Sequence, residues 1–161
     1  MKIALTFLLV TFISTPQELP PLNQKVVEYV NSVRGKRVDR GECWDLAFRA
    51  LEYSGSYFDR SSKKTINVYG RLIDPDKEDV LPGDLMQFEG VKMQWKIRYT
   101  TFSAEMQHHT AIVHSVNGPG DYQIAHQNTQ QWGKRVDINQ FKMDRVTKGK
   151  IFIYRPIAEK L

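Results

Sequence analysis

The sequence predicts an α+β domain in which helices come first and an antiparallel sheet follows. Three observations carry this. Apolar residues recur at helical spacing from Val26 to Tyr53. From Thr65 onward they alternate at strand spacing instead. The strand-like runs come after the helical ones rather than alternating with them, the order expected of an antiparallel sheet. The 161 residues are enough for one domain with a hydrophobic core, and 41% hydrophobic with 25% charged residues is the balance of a globular chain.

Residues 1–15, MKIALTFLLVTFIST, place Lys2 before an apolar run from Ile3 to Ile13. The run is short for a bilayer span and small residues follow it, which is the pattern of a cleaved export signal. No cysteine follows the run, so a lipoprotein anchor is not expected. Residues 16–22 read as a proline-rich connector, and 23–161 as a single domain. In NQKVVEYVNSVRG, Val26, Val27, Val30 and Val33 share one helical face, with Asn23 placed as N-cap and Gly35 as stop. In CWDLAFRALEYSG, Trp44, Ala47, Phe48 and Leu51 form a stripe that Leu46, Ala50 and Tyr53 widen, and Gly55 stands at C′. INVYGRLI, DLMQFEG, MQWKIRYTTF, HHTAIVHSV, YQIAHQN and GKIFIYRPI read as strands, the fourth and fifth joined by NGPGD as a hairpin. No internal repeat is found, and no second domain is expected within these residues.

The formal charge of +5 favours anionic partners. No basic run interleaved with aromatic residues appears, so nucleic acid is not an expected partner. Cys43 is the only cysteine, so it cannot form an intramolecular disulfide, and in an exported protein an unpaired thiol is either buried or used. Its place at the start of a helix favours thiolate through the free amides and the helix dipole, while Glu42 and Asp45 oppose it.

Four histidines are present, and strand alternation puts His109 with Ala111 and Val113 on one face, with His108, Thr110, Ile112 and His114 on the other. The NGPGD hairpin brings His109 beside His126. A thiol, an imidazole base and a polar group that orients the base form a nucleophile triad. Taken singly, each histidine reads as an ordinary strand or surface residue, and the three together are more specific than any one. Zinc ligation by histidines and one thiol is the other chemistry available, but no paired-ligand spacing supports it, so no metal or other cofactor is expected.

GECWDLA on a helix, then PGDLMQF, HTAIV and IAHQN, resemble the papain-like clan of NlpC-type and CHAP-type cysteine peptidases and amidases, across about residues 25–155. GECWDLA and INVYGRLI are also similar to the cysteine-proteinase-fold domain at the C-terminus of some fungal actin-patch proteins. The resemblance implies a papain-like fold with Cys43 as nucleophile, His109 as general base and His126 as the orienting third residue. Asn128, or Gln127 beside it, is the alternative orienter. GECW departs from the usual surroundings of the nucleophile, and no Gln or Tyr oxyanion donor stands just before Cys43. The function implied is an exported (secreted or periplasmic) monomeric thiol hydrolase that cleaves amide bonds, above all in peptidoglycan peptides. The alternatives are a papain-like module that binds protein or peptide without turnover, and a lipid acyltransferase or thioesterase on the same scaffold. No membrane-spanning segment is expected to remain after signal cleavage.

Export is testable by processing. The mature chain is expected to begin near Pro16, with the cut between Ser14 and Gln17. Mass spectrometry finding intact Met1 in a cytosolic fraction would remove the case for export.

Overall fold

A computed structural model describes residues 18–59, 69–131 and 133–159. The expected export signal and the first residues of INVYGRLI lie outside the described residues. The elements are α1 (Pro21–Val33), α2 (Cys43–Ser54), β1 (Arg71–Ile73), β2 (Leu85–Ile97), β3 (Thr100–Gly118), β4 (Asp121–His126), β5 (Asp137–Lys142), a single 3₁₀ turn at Met143–Arg145, and β6 (Val146–Arg155). The six strands form one sheet in the order β1-β6-β2-β3-β4-β5, with every pairing antiparallel. This is the α+β, papain-like arrangement that the sequence predicts.

Several boundaries differ, each for a local reason. α1 begins at Pro21, inside the expected connector, because proline is well suited to a first helical turn. Asn23 is therefore not the N-cap. It is fully buried within α1, and its amide donates to Pro82 O and Asp84 Oδ1. DLMQFEG and the start of MQWKIRYTTF form one strand, β2, irregular near Gly90, where φ is +58° and the pairing with β6 shifts. The chain turns back at Arg98 and Tyr99 into β3, which continues through HHTAIVHSV. β5 has no counterpart in the sequence reading: in DINQFK the apolar residues are three apart rather than two, so period-2 alternation is missing.

Alternation divides the sheet into two faces with separate cores. α1 and α2 press Val26, Val30, Leu46, Ala47, Ala50 and Leu51 onto Leu85, Ile112, Ala125 and Tyr154. On the other face Met86, Phe88, Val113, Ile124, Phe141 and Ile153 cluster together. No α-helix among the described residues packs on that second face, where Val80 of the loop before β2 and Met143 of the 3₁₀ turn join the strand side chains.

One polar knot fastens the layers. The Asp84 carboxylate, fully buried, accepts from Asn23 of α1, from the Leu81 amide, and twice from the Arg155 guanidinium at the end of β6. Arg155 also donates to Glu78, which in turn takes a bidentate pair from Arg71 of β1. Gly83, just before Asp84, has φ +87°, and a Cβ built there would stand 2.4 Å from the Asn23 carbonyl oxygen. Only glycine combines that dihedral with so close an approach.

Asp84→Ala is expected to lower stability by roughly 3–5 kcal/mol in denaturant unfolding, since it strands a mostly buried guanidinium. Glu78→Ala, removing a half-exposed partner of the same arginine, is expected to lower it by about 1 kcal/mol. Equal losses would show that burial of the Asp84 carboxylate is not what fixes the knot.

Candidate functional site

Cys43 is the first residue of α2, and its helix start is built from its own neighbours. Glu42, at N-cap, accepts from the Asp45 amide while the Asp45 carboxylate accepts from the Glu42 amide, a reciprocal capping box. Burial alone raises the Asp45 pKa, but the Arg40 guanidinium and the Glu42 and Arg40 amides outweigh it and hold the carboxyl below its ordinary value. The cap therefore stays charged.

Burial pushes the Cys43 thiol pKa up from its ordinary value. The amides of Thr110 and Trp44 pull the other way, and the Glu42 charge adds to the rise. Position at a helix start leads one to expect an activated thiolate, but here desolvation exceeds the favourable amides. The resting group is a thiol. The contact with the Thr110 amide also places the sulfur beside the strand residue that follows His109.

His109 and His126 are hydrogen-bonded, Nε2 to Nδ1, at 3.1 Å. Their protonation follows from the groups beyond them. Asn139 Nδ2 donates to Asp137 Oδ2 at 3.0 Å, which turns Asn139 Oδ1 toward His126 Nε2 at 2.8 Å. An amide oxygen only accepts, so His126 carries its proton on Nε2 and offers Nδ1 as acceptor. His109 must then donate from Nε2, which leaves its Nδ1 without a proton. Burial, with the neighbouring His126 and His108, lowers the His109 pKa to about 3, and burial also lowers that of His126. The result is a directional chain of hydrogen bonds from Asp137 through Asn139 and two neutral imidazoles to a bare Nδ1 on His109.

Register places the chain on one face of the sheet. His109 pairs with Phe88, Asn139 with Ile124 and Asp137 with His126, all on the face of the second core, and the His109 ring lies against Phe88. α2 packs on the opposite face. The two sides meet where β4 ends: His126 is its last residue, and Thr110 lies beyond the last β3–β4 pair, Ile112 with Ala125.

Gln127 and Asn128 are engaged elsewhere. Fully buried Gln127 accepts from the Val38 amide and donates to the carbonyls of Val38 and Glu42. Asn128, at φ +63°, donates to Glu42 Oε2, while Lys134 pairs with Glu42 Oε1 at 2.7 Å. These residues hold the chain leading into α2, and the group bonded to the second imidazole is Asn139. Its signal in the sequence is faint, since Asn139 lies in the strand without clear alternation. His108 is half-exposed on the helix-facing side, with Nδ1 paired to Glu89. His114 donates from Nε2 to Asn31 of α1 and so joins β3 to the helix. Among the described residues no group of three or more His, Cys, Asp or Glu could hold a metal ion, and no helix is long and apolar enough to cross a membrane.

The chain belongs to the AIM3/BBC1 cysteine-proteinase-fold domain family, whose model matches residues 22–161. No curated protein matches it. Among solved structures it is similar to the crystal structure of Ly7917, with TM-score 0.53 and 14% identity over 82% of this chain. A second structure, Ly7917 with the hydrolyzing product of MDP, gives TM-score 0.50 and 17% identity over 83% of this chain. The chain spans 62% and 63% of those proteins. At such identities the likeness is one of fold.

The depressed His109 pKa links to stability with a definite sign. Its value in the unfolded chain is the ordinary 6.5 and in the fold about 3, so the neutral form favours folding. That contribution is complete above about pH 6.5 and is lost as pH falls toward 3. The unfolding midpoint in denaturant is expected to drop across that window, and less steeply in His109→Gln. Equal slopes would show that His109 is not buried as a neutral ring.

Proposed function

We propose that this cysteine-proteinase-fold domain is a thiol hydrolase of peptide amides, with Cys43 as nucleophile, His109 as base and His126 as the group that orients the base. The observation that supports it is the one-way hydrogen-bond chain, which leaves His109 Nδ1 as the only imidazole nitrogen of the pair with a free lone pair. In the proposed reaction the Cys43 thiol gives its proton to that nitrogen as the sulfur attacks the amide carbonyl. The step requires thiol and ring to come within hydrogen-bond reach of one another where β4 ends. The Cys43 amide receives the oxyanion, since the capping box uses the amide of Asp45 instead. His109 returns the proton to the leaving amine, and water, deprotonated by the same ring, releases the acyl group from sulfur. The resting pair is neutral thiol and neutral imidazole, so activation accompanies attack rather than preceding it.

Peptidoglycan peptides are the substrate class we propose, and export the location. A net charge of +5 suits an anionic wall, and the leader-like residues 1–15 suit secretion. Ly7917, a structural neighbour, was solved with the hydrolyzing product of MDP. A second reading, a module that binds peptide without turnover, is favoured by the raised thiol pKa, since such a sulfur is a poor nucleophile at rest.

The test is release of new amines from purified wall fragments and synthetic stem peptides. Cys43→Ser and His109→Ala are expected to lose activity by several orders of magnitude. Asn139→Leu removes the group that fixes the tautomer, and kcat should fall about ten- to a hundredfold with little change in KM. Equal rates for wild type and Cys43→Ser would overturn the thiol mechanism. No turnover by a folded wild-type protein would favour the binding module.

Thiol reactivity gives a separate check. Alkylation of Cys43 by iodoacetamide should rise only above the pH at which a free cysteine reacts. A rate that is already maximal near neutral pH would contradict the neutral resting pair.

A further inference from the structure

The sheet does not use all of β2 and β3. β6 pairs with β2 only as far as Met93, opposite Val146, and β4 pairs with β3 only from Ile112. Residues 94–103 therefore form a two-stranded ribbon, extending about 13 Å beyond the last flanking pair at the rise of a strand. Such a ribbon is marginal in water unless its faces are occupied. Here one face carries Trp95 and Phe102, directly opposed and stacked at 5.7 Å, with the Arg145 guanidinium over the indole at 5.3 Å. Ile97 continues that face, and Tyr99 stands in the turn.

These residues are far more exposed than packing requires. Tyr99 is 97% exposed, Ile97 56% and Phe102 41%. The other face is polar, with Gln94, Lys96, Thr101 and Ser103, and Arg98 holds the turn at φ +55°. Residues 94–103 contain two cations and no acidic residue, and Arg145 adds a third cation beside them. An apolar aromatic tip ringed by cations has the composition of a membrane-interface anchor. The shape selects the partner as well. The tip is a projection, not a groove, so it can be covered only by a concave surface or by one that deforms around it.

We propose that the β2–β3 hairpin tip docks the domain onto an anionic lipid bilayer, with Ile97, Tyr99 and Phe102 entering the interface and Lys96, Arg98 and Arg145 meeting the headgroups. Tryptophan and tyrosine partition to this depth because one end of each ring is apolar and the other hydrogen-bonds. The contact is peripheral, made by the hairpin tip, and His109 lies seven residues behind Phe102 along β3.

The experiment is co-sedimentation of the full chain with sucrose-loaded vesicles of phosphatidylcholine alone or of phosphatidylcholine with phosphatidylserine. Wild type is expected to bind the phosphatidylserine vesicles and to be weakened by added salt. The double variant Ile97→Thr/Tyr99→Ser is expected to lose at least tenfold in affinity with an unchanged melting temperature, since both side chains are exposed. Lys96→Gln and Arg98→Asn should each weaken binding about fivefold, the effect of one cation near an anionic leaflet. Full binding by the double variant would overturn the proposal, because the charge of the whole domain or the apolar N-terminal residues would then be the anchor. Failure of the wild type to bind either vesicle would also overturn it, and would assign the tip to a protein with a concave acidic surface. Neither result touches the hydrolase reading, whose readout is amine release from soluble peptides.

Discussion

The fold depends on one carboxylate. Asp84 lies at the start of β2 and is reached at once by the first helix and by the end of the last strand. A buried carboxylate without partners is strongly unfavourable, so the elements carrying Asn23 and Arg155 must arrive together or not at all. Residues 23, 84 and 155 thus close loops of 61 and 71 residues with groups that tolerate little misplacement. Hydrophobic burial would hold α1 on the sheet in many related positions, while the Asn23 and Arg155 bonds specify one. Gly83 completes the constraint from the backbone side, because the turn that presents Asp84 passes so close to α1 that a side chain would meet the Asn23 carbonyl.

The site obeys opposite electrostatics. Around Asp84 charge is buried and matched. The Cys43 thiol and the His109 ring are instead uncharged at rest, because desolvation raises the pKa of an acid and lowers that of a base. A thiolate–imidazolium pair is thereby disfavoured twice over at rest. What remains is geometry: a proton carried on defined nitrogens, from Asn139 outward, that leaves a single acceptor. Phe88 lies against the His109 ring and packs edge to face on Phe141. A buried neutral imidazole is weak toward solvent protons, and in the proposed reaction it would act as a general base rather than as half of a preformed ion pair.

The sequence reading recovers what periodicity and local chemistry encode. The stripe from Trp44 to Leu51 marks α2, Gly55 marks its end in the left-handed conformation, and the NGPGD turn joins the strands that bear His109 and His126. Alternation also separates His108 from His109, and the pairing with Phe88 puts His109 on the second face. What the sequence does not carry is tertiary in origin. Asn23 has the composition of an N-cap, but its value lies in a partner 61 residues away. β5 has no alternation of its own and is a strand because β4 offers it hydrogen bonds. Asn139 is invisible for the same reason. The thiol pKa also misleads from sequence, since position at a helix start is legible there and burial is not.

The end of β4 explains how the two halves of the site are kept in register. His126, Gln127 and Asn128 are consecutive, and each grips a different part. His126 holds the His109 ring, Gln127 holds the carbonyls of Val38 and Glu42, and Asn128 holds the Glu42 carboxylate. Strand alternation sends the first two side chains to opposite faces, so one backbone segment reaches the imidazole on one side of the sheet and the start of α2 on the other. Glu42 is the residue where these demands meet. It caps the helix, receives Asn128 and Lys134, and stands next to Cys43, whose ionisation its charge opposes. Lys134 offsets that charge, and Gly41 beside it lets the Lys134 side chain come close, since a Cβ at that position would stand 2.6 Å from the lysine Cβ. A sequence that places an acid next to its only thiol therefore also supplies the cation that moderates it. The three residues after Ala125 are what convert two separately packed layers into one site.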